Sequence, residues 1–164
     1  MKKGNTLIEL IIYITIVSGI GMASVLFVTN IITGRVKSSL EENVIHNMRL
    51  STRRITQEIR QATAITSISS TDLCLASPTI GRNPTRIYLS SNRLYLGFGG
   101  SCASSTTSYP LTSTNVTVSN LVFSNSTTGL AKTIDYTYKI SGNNVVGRQE
   151  WLYDTTASMS ASIR

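Results

Sequence analysis

The chain of 164 residues has few of the side chains that build catalytic and metal sites. It contains one histidine, His46, and two cysteines, Cys74 and Cys102. His46 has no cysteine at a ligand spacing and is the chain's single histidine, so a zinc site is not expected. The glycine-rich segment 97–100 lacks the Lys-Ser/Thr that follows a phosphate-binding loop, and we interpret it as a flexible loop. We therefore expect a protein that is not an enzyme, with no catalytic residue, cofactor or metal.

Charge is also nearly absent from the segment between Gly4 and Arg35. Glu9 is the only acidic or basic side chain between Gly4 and Arg35, and the 23 residues from Leu10 to Ile32 carry no charge. At a rise of about 1.5 Å per residue, a helix of this length spans a hydrocarbon core of roughly 30 Å. The sequence therefore predicts one membrane-spanning helix.

The basic residues around this segment predict its orientation. Lys2 and Lys3 precede it, and no basic residue follows until Arg35. The positive-inside rule then places residue 1 in the cytoplasm and exports the chain after about residue 35. The apolar run is longer than the roughly 7–15 residues of a cleaved signal peptide. A plain signal anchor remains the alternative interpretation.

A more specific interpretation comes from the leader "KKGNTLIEL". A basic leader, a glycine, Thr-Leu-Ile-Glu and about twenty apolar residues resemble the class III signal of type IV pilins and type II secretion pseudopilins. The resemblance implies that residues 1–4 are a prepilin leader with charges at Lys2 and Lys3. It also implies that prepilin peptidase cleaves between Gly4 and Asn5 and methylates the new amino terminus at Asn5, where these families usually have Phe.

Glu9 needs a physical explanation, because a carboxylate inside a membrane helix costs free energy. Cleavage after Gly4 would create a cationic amine at Asn5, which Glu9 of a neighbouring subunit could neutralise. An unpaired carboxylate is strongly disfavoured at low dielectric, so this pairing would set the axial register during assembly. The alternative is a Glu9 side chain that reaches the cytoplasmic interface of a simple anchor.

The helical pattern continues beyond the membrane segment. Residues 5–34 are predicted as the transmembrane, filament-core half of the helix, weakened by glycines at 19, 21 and 34. Residues 35–64 form an amphipathic half. Its apolar stripe, with Ser51 and Thr52 filling a gap, comprises Leu40, Val44, Met48, Ile55, Ile59 and Ala62. The predicted solvent-exposed face comprises Glu41, Glu42, Arg49, Arg53, Arg54, Glu58 and Arg60.

Residues 65–164 are rich in Ser, Thr, Asn and Gly and predict short strands. Segment 86–98 indicates a hairpin with Ser91-Asn92 as its turn, and 116–124 a further strand. Ile134, Tyr136, Tyr138 and Ile140 alternate on one face before a turn at 142–144, and a partner strand is predicted over 145–151. The final strand is predicted to place Met159, Ala161 and Ile163 inward.

Together these elements predict an α+β fold, with a long N-terminal helix packed against an antiparallel β-sheet domain. This is the pilin fold that the leader resemblance implies. "MRLSTRRITQEIRQAT" and "YKISGNNVVGRQ" also resemble larger minor pilins and J-type minor pseudopilins. That second resemblance favours a minor subunit.

Cys74 and Cys102 both lie in the predicted exported part, 28 residues apart. Two thiols outside the cytoplasm favour a disulfide over a metal site, with free thiols as the alternative. The bridge would connect the hairpin region to the segment just after the helix.

The net positive charge raises the question whether the protein binds an anionic partner. The chain has a net charge of +7; without Lys2 and Lys3 it has 13 basic and 8 acidic residues, or +5. A basic exterior favours anionic partners, so nucleic acid is an open alternative to a solvated surface. The arginines of the sheet region do not define a face from sequence alone; they are Arg82, Arg86, Arg93, Arg148 and Arg164.

The expectation from sequence is a structural subunit of a type IV pilus or related filament. Its expected partners are other pilin subunits, in a homo- or hetero-filament, the prepilin peptidase and an inner-membrane assembly platform. The precursor is expected in the cytoplasmic membrane, and the assembled subunit in an extracellular pilus or a periplasmic pseudopilus. The alternatives are a type II secretion or competence pseudopilin, and a single-pass anchored adhesin or binding module.

Overall fold

The computed structural model describes residues 6–128, 132–143 and 152–163. The chain divides into two compact units, Met1–Ser39 and Leu40–Arg164. Helix α1 (Leu7–Gln61) contributes to both, and the antiparallel strands all belong to the second unit. The predicted α+β fold, with a long N-terminal helix against antiparallel sheet, is confirmed.

The first unit is the apolar part of α1. This helix is long and apolar enough to span a membrane, as predicted. Its Ser and Thr hydroxyl groups between Thr15 and Thr33 donate to carbonyl oxygens three or four residues earlier; examples are Ser18 to Ile14 at 2.7 Å and Ser24 to Ile20 at 2.9 Å. Because these polar groups are satisfied within the helix itself, they do not oppose placement in hydrocarbon.

In the second unit, α1 buries the predicted stripe. Val44, Ile55 and Ile59 are fully buried, and Leu40 and Met48 pack against the same core. Ser51 and Thr52 are also buried, so the gap in the apolar stripe lies inside the domain. A buried hydroxyl needs a hydrogen-bond partner, and Ser51 Oγ has one within the helix, the carbonyl oxygen of Asn47 at 2.7 Å.

The first sheet is a five-stranded antiparallel meander in the order β1-β2-β3-β4-β5. Its strands are β1 (Ala64–Ile68), β2 (Asp72–Ala76), β3 (Thr85–Ser90), β4 (Arg93–Gly100) and β5 (Ser105–Pro110). The predicted hairpin is β3–β4, and its turn residues Ser91 and Asn92 have φ of 47° and 59°. Two central residues with positive φ are the mark of a type I′ turn, whose twist matches that of the strands.

Segment 97–100, which we expected to be a flexible loop, belongs to β4 instead. Gly97 pairs with Ser108 and Gly100 with Ser105 of β5. A Cβ at Gly97 would overlap the side chain of Ser105, so the glycine permits a close approach within the sheet.

The second sheet contains β6 (Val116–Asn125), β7 (Thr133–Gly142) and β8 (Asp154–Ser162) in the order β6-β7-β8. It confirms the predicted strand 116–124. The inward face of β7 is also confirmed, since its four predicted residues, Ile134, Tyr136, Tyr138 and Ile140, are all buried. The predicted strand 145–151 lies outside the described residues. Among those described, the partners of β7 are β6 and β8.

Strand β8 departs from the prediction at one position. Ala161 is buried and Ile163 packs against the core, but Met159 is 48% exposed. Met159 shares the inward parity of the buried residues Ala157 and Ala161, yet it lines a groove between α1 and β8. It therefore belongs to the floor of an open groove.

Candidate functional site

Glu9 lies in the first turn of α1. The carbonyl oxygen of Thr6 accepts hydrogen bonds from the backbone N–H of Glu9 at 3.0 Å and of Leu10 at 3.3 Å. Thr6 and Glu9 have the spacing of a capping box, and an acidic residue in the first turn complements the helix dipole. This Thr-x-x-Glu spacing is also visible in the sequence, but the prediction for Glu9 did not include it.

The residues of the predicted processing signal, Lys2, Lys3, Gly4 and Asn5, lie outside the described residues. Cleavage after Gly4, methylation of Asn5 and pairing of Asn5 with Glu9 therefore stay predictions.

The apolar surface of α1 is the largest exposed feature of the first unit. Large apolar side chains from Leu7 to Ile32 are 41–77% exposed, on all sides of the helix. Apolar surface of this extent is characteristic of contact with a membrane or with other proteins.

Two tyrosines connect the second sheet to α1. The hydroxyl of Tyr138 shares hydrogen bonds with Ser51 Oγ at 2.7 Å and Thr52 Oγ1 at 2.8 Å. Tyr136 shares one with Thr56 Oγ1 at 2.8 Å. Burial raises the pKa of Tyr136 to about 12 and also raises the pKa of Tyr138. Two features of the sequence could have predicted these bonds. They are the hydroxyl residues inside the apolar stripe of the helix and the two tyrosines on the inward face of one strand.

Glu58 was predicted on the solvent-exposed face of the helix, and that prediction is wrong. Its side chain is only 4% exposed, and its Oε1 lies 2.7 Å from Arg82 and 3.0 Å from Arg54. The guanidinium of Arg82 also lies over the ring of Phe98, 4.2 Å from its centroid. A buried carboxylate is tolerated here because two cations reach it.

The other arginines of the sheets are also engaged within the domain. Arg86 pairs with Asp72, and the hydrogen bond raises the pKa of Arg86. Arg93 donates to the carbonyl oxygen of Thr112 at 2.7 Å. Arg148 and Arg164 lie outside the described residues. The described sheet arginines thus hold loops and strands together, which weakens the case for a nucleic-acid surface built from them.

Three helical arginines occupy a different setting, at a groove between α1 and β8. The groove has a volume of about 840 Å³. Its helical wall comprises Met48, Arg49, Thr52, Arg53, Thr56, Gln57, Arg60 and Gln61. Its other wall is the segment 156–159 of β8. Arg49, Arg53 and Arg60 are exposed, and no acidic residue is among the described residues that line the groove.

The two cysteines form the predicted disulfide. It joins Cys74 on β2 to Cys102 between β4 and β5, with the Cα atoms 5.6 Å apart. His46 is exposed on α1. Over the described ranges, no group of three His, Cys, Asp or Glu side chains is placed to hold a metal ion.

Comparison of the chain with family models, curated proteins and solved structures finds no match.

Proposed function

We propose that this chain is a minor pilin, a structural subunit of a type IV pilus or related filament. The observation that carries the proposal is helix α1, which is apolar and exposed from Leu7 to Ile32 and continues to Gln61 in the β-rich unit. The leader resemblance supports it with a cleavage point between Gly4 and Asn5. In this proposal prepilin peptidase processes the membrane-bound precursor. The exposed apolar surface of α1 contacts lipid before assembly and the helices of neighbouring subunits in the filament.

Glu9 has the selective role in this assembly. A carboxylate at the apolar end of the helix gains most from a cationic partner in a low-dielectric environment. The amine of a neighbouring Asn5, exposed by cleavage, supplies that cation. A subunit in the wrong register would leave both charges unpaired, so the pair favours a single axial position.

Two alternatives differ from this proposal in measurable ways. A type II secretion or competence pseudopilin would be processed in the same way but assemble within the cell envelope. An anchored adhesin or binding module would keep Met1 and remain in the membrane as a monomer. The basic leader and the apolar helix are compatible with each of these.

The deciding measurement is mass spectrometry of the N-terminal peptide from sheared surface filaments and from membranes. A peptide that begins at Asn5, with or without a methyl group, in the filament fraction supports the pilin proposal. A processed peptide confined to the cell envelope favours a pseudopilin. A peptide that begins at Met1 and stays in the membrane overturns processing and favours the anchored module.

A substitution at Glu9 tests the assembly step separately. Glu9→Ala should leave cleavage and membrane insertion intact but abolish incorporation into filaments. Ser18→Ala is the matched control, because it removes a polar group from the same apolar helix without removing a charge. Normal incorporation of the Glu9→Ala subunit would overturn the pairing mechanism.

A further inference from the structure

The outer edge of β8 is open among the described strands. The order β6-β7-β8 makes β8 the last strand of its sheet. Unpaired backbone groups on an edge strand can pair with an additional chain. The composition of β8 does not block such pairing: it contains no proline, and its only charged residue is Asp154 at one end.

The hydrogen-bond register shows which backbone groups point outward. The N–H of Gly142 donates to the carbonyl of Tyr153 at 3.0 Å, and the N–H of Ile163 donates to Lys132 at 2.9 Å. The β7–β8 register between these two pairs is continuous. Along an antiparallel strand, the backbone N–H and C=O groups of successive residues point alternately to one side and to the other. The backbone groups of the odd-numbered residues of β8 therefore point toward β7. The backbone groups of Thr156 and Ser158 therefore face the open edge.

The charged side chains that line the groove beside this edge are all positive among the described residues. Arg49, Arg53 and Arg60 are exposed on its helical wall, and among the described residues none has an acidic partner. The floor is apolar at Ala157 and the half-exposed Met159. A ligand that fits this groove combines negative charge with a backbone that can extend the sheet.

We propose that the groove between α1 and β8 binds an extended acidic peptide segment of a partner protein. The segment adds a strand to β8 through the outward groups of Thr156 and Ser158. Its carboxylates, carried on every second residue, meet the helical arginines, since side chains of an extended strand alternate between its two faces. Backbone pairing supplies affinity, and the charges select an acidic sequence.

An acidic peptide fits this surface better than duplex DNA does. DNA would use the arginines, but it has no backbone that pairs with a strand edge, and it would leave Met159 exposed. A second copy of this chain fits less well, because none of its described strands carries acids on successive alternate positions.

The test uses the full chain in detergent micelles and a fluorescent peptide, acetyl-Glu-Thr-Glu-Thr-Glu-Thr-Glu-amide. Binding is followed by fluorescence anisotropy at fixed low salt. We expect saturable binding that weakens as salt is added, since the ion pairs are exposed to solvent. A peptide with Lys in place of Glu should not bind. A version with Pro in place of two Thr should bind at least tenfold more weakly, because it lacks the N–H groups for strand pairing.

Variants of the protein locate the peptide. Arg53→Gln should weaken binding about fivefold, the upper range for one exposed ion pair. Lys132→Gln is the matched control; it removes the same charge outside the groove and should leave affinity unchanged. Ser158→Pro should weaken binding at least tenfold, because it removes an outward N–H without removing a hydrogen bond to β7. Ser158→Ala keeps that N–H and should bind normally.

Several results would overturn the proposal. These are equal binding of the Glu and Lys peptides, unchanged affinity of both Arg53→Gln and Ser158→Pro in folded protein, and displacement of the peptide by duplex DNA with DNA binding more tightly. Self-association that is lost in Ser158→Pro, without peptide binding, would assign the edge to a second copy instead. The measurement is made on the dispersed chain, so it does not depend on the filament proposal.

Discussion

The hydroxyl of Tyr138 lies 2.7 Å from Ser51 Oγ and 2.8 Å from Thr52 Oγ1, in the buried contact between β7 and α1. The same hydroxyl lies 3.2 Å from the carbonyl oxygen of Met48. One phenol thus satisfies two buried hydroxyls in a stripe that is otherwise apolar. This arrangement favours the observed face of the helix, because a rotated helix would lose both bonds to Tyr138 and leave Thr52 Oγ1 without this partner.

Removal of this hydroxyl should destabilise the domain. Tyr138→Phe keeps the ring but removes the partner of the buried Thr52 Oγ1, whereas Ser51 Oγ keeps its bond to the Asn47 carbonyl. We therefore expect the free energy of unfolding to fall by about 1–3 kcal/mol. Chemical denaturation of the full chain in detergent, followed by circular dichroism, measures it. Tyr88→Phe is the control, because its hydrogen bond to Ser108 is exposed, and should be near neutral. Equal losses in the two variants would contradict the argument.

Substitution of Glu58 should destabilise the domain more than is usual for a residue on an exposed helix face. Glu58→Gln removes the buried negative charge that pairs with Arg82 and Arg54. We expect a loss of about 2 kcal/mol in the free energy of unfolding. The denaturant midpoint measures it. Arg54→Gln removes only the more exposed cation of the cluster and should cost at most about 1 kcal/mol. A loss in Arg54→Gln as large as that in Glu58→Gln would contradict this prediction.

The elements that the sequence predicted best are those with long, regular patterns. One is the apolar stripe around Val44 and Ile55, which repeats over several helical turns. The other is the inward face of β7, where every second residue is apolar or aromatic. In both, the residues that the repeat predicted to be inward are buried or pack against the core. The β3–β4 hairpin was also predictable, because Ser91-Asn92 tolerates the left-handed conformation that a two-residue turn needs. In these cases local chemistry and tertiary packing favour the same structure.

The wrong predictions share a cause, which is a partner distant in the chain. Glu58 follows the pattern of an exposed i,i+4 pair with Arg54, and only the fold places Arg82 beside it, 24 residues later. Gly97 looked like part of a loop because its strand partner, Ser108 of β5, lies later in the chain and is not visible in the local pattern. Met159 has the correct parity for burial, but it lies in an open groove whose helical wall is mostly polar. Periodicity within one segment cannot supply this information.

The disulfide should contribute substantially to the stability of the first sheet. It closes a loop with a sequence separation of 28 residues, which the loop-entropy model equates with about 3–4 kcal/mol. The double variant Cys74→Ala/Cys102→Ala should therefore lower the free energy of unfolding by about that amount. Reduction of the native chain should produce a similar loss, whereas the double variant should not respond to the reductant. An unchanged denaturation midpoint after complete reduction would contradict this prediction.

Alkaline pH should destabilise the domain through Tyr136. Burial raises the pKa of Tyr136 in the folded state to about 12, above the value of about 10 for an unfolded chain. The unfolded state therefore releases its proton first as the pH rises, and the free energy of unfolding falls from about pH 10 to about pH 12. Below pH 10 this contribution is fully present.

The test compares tyrosinate absorbance and unfolding in the native chain and in Tyr136→Phe. The native chain should contain one more tyrosine that titrates late, and its loss of stability between pH 10 and 12 should be steeper than that of the variant. The comparison isolates Tyr136, because the lysines, arginines and other tyrosines titrate in both proteins. Parallel pH profiles would mean that the Tyr136 hydroxyl is open to solvent, and the contact between β7 and α1 near Thr56 would then be looser than its 2.8 Å hydrogen bond implies.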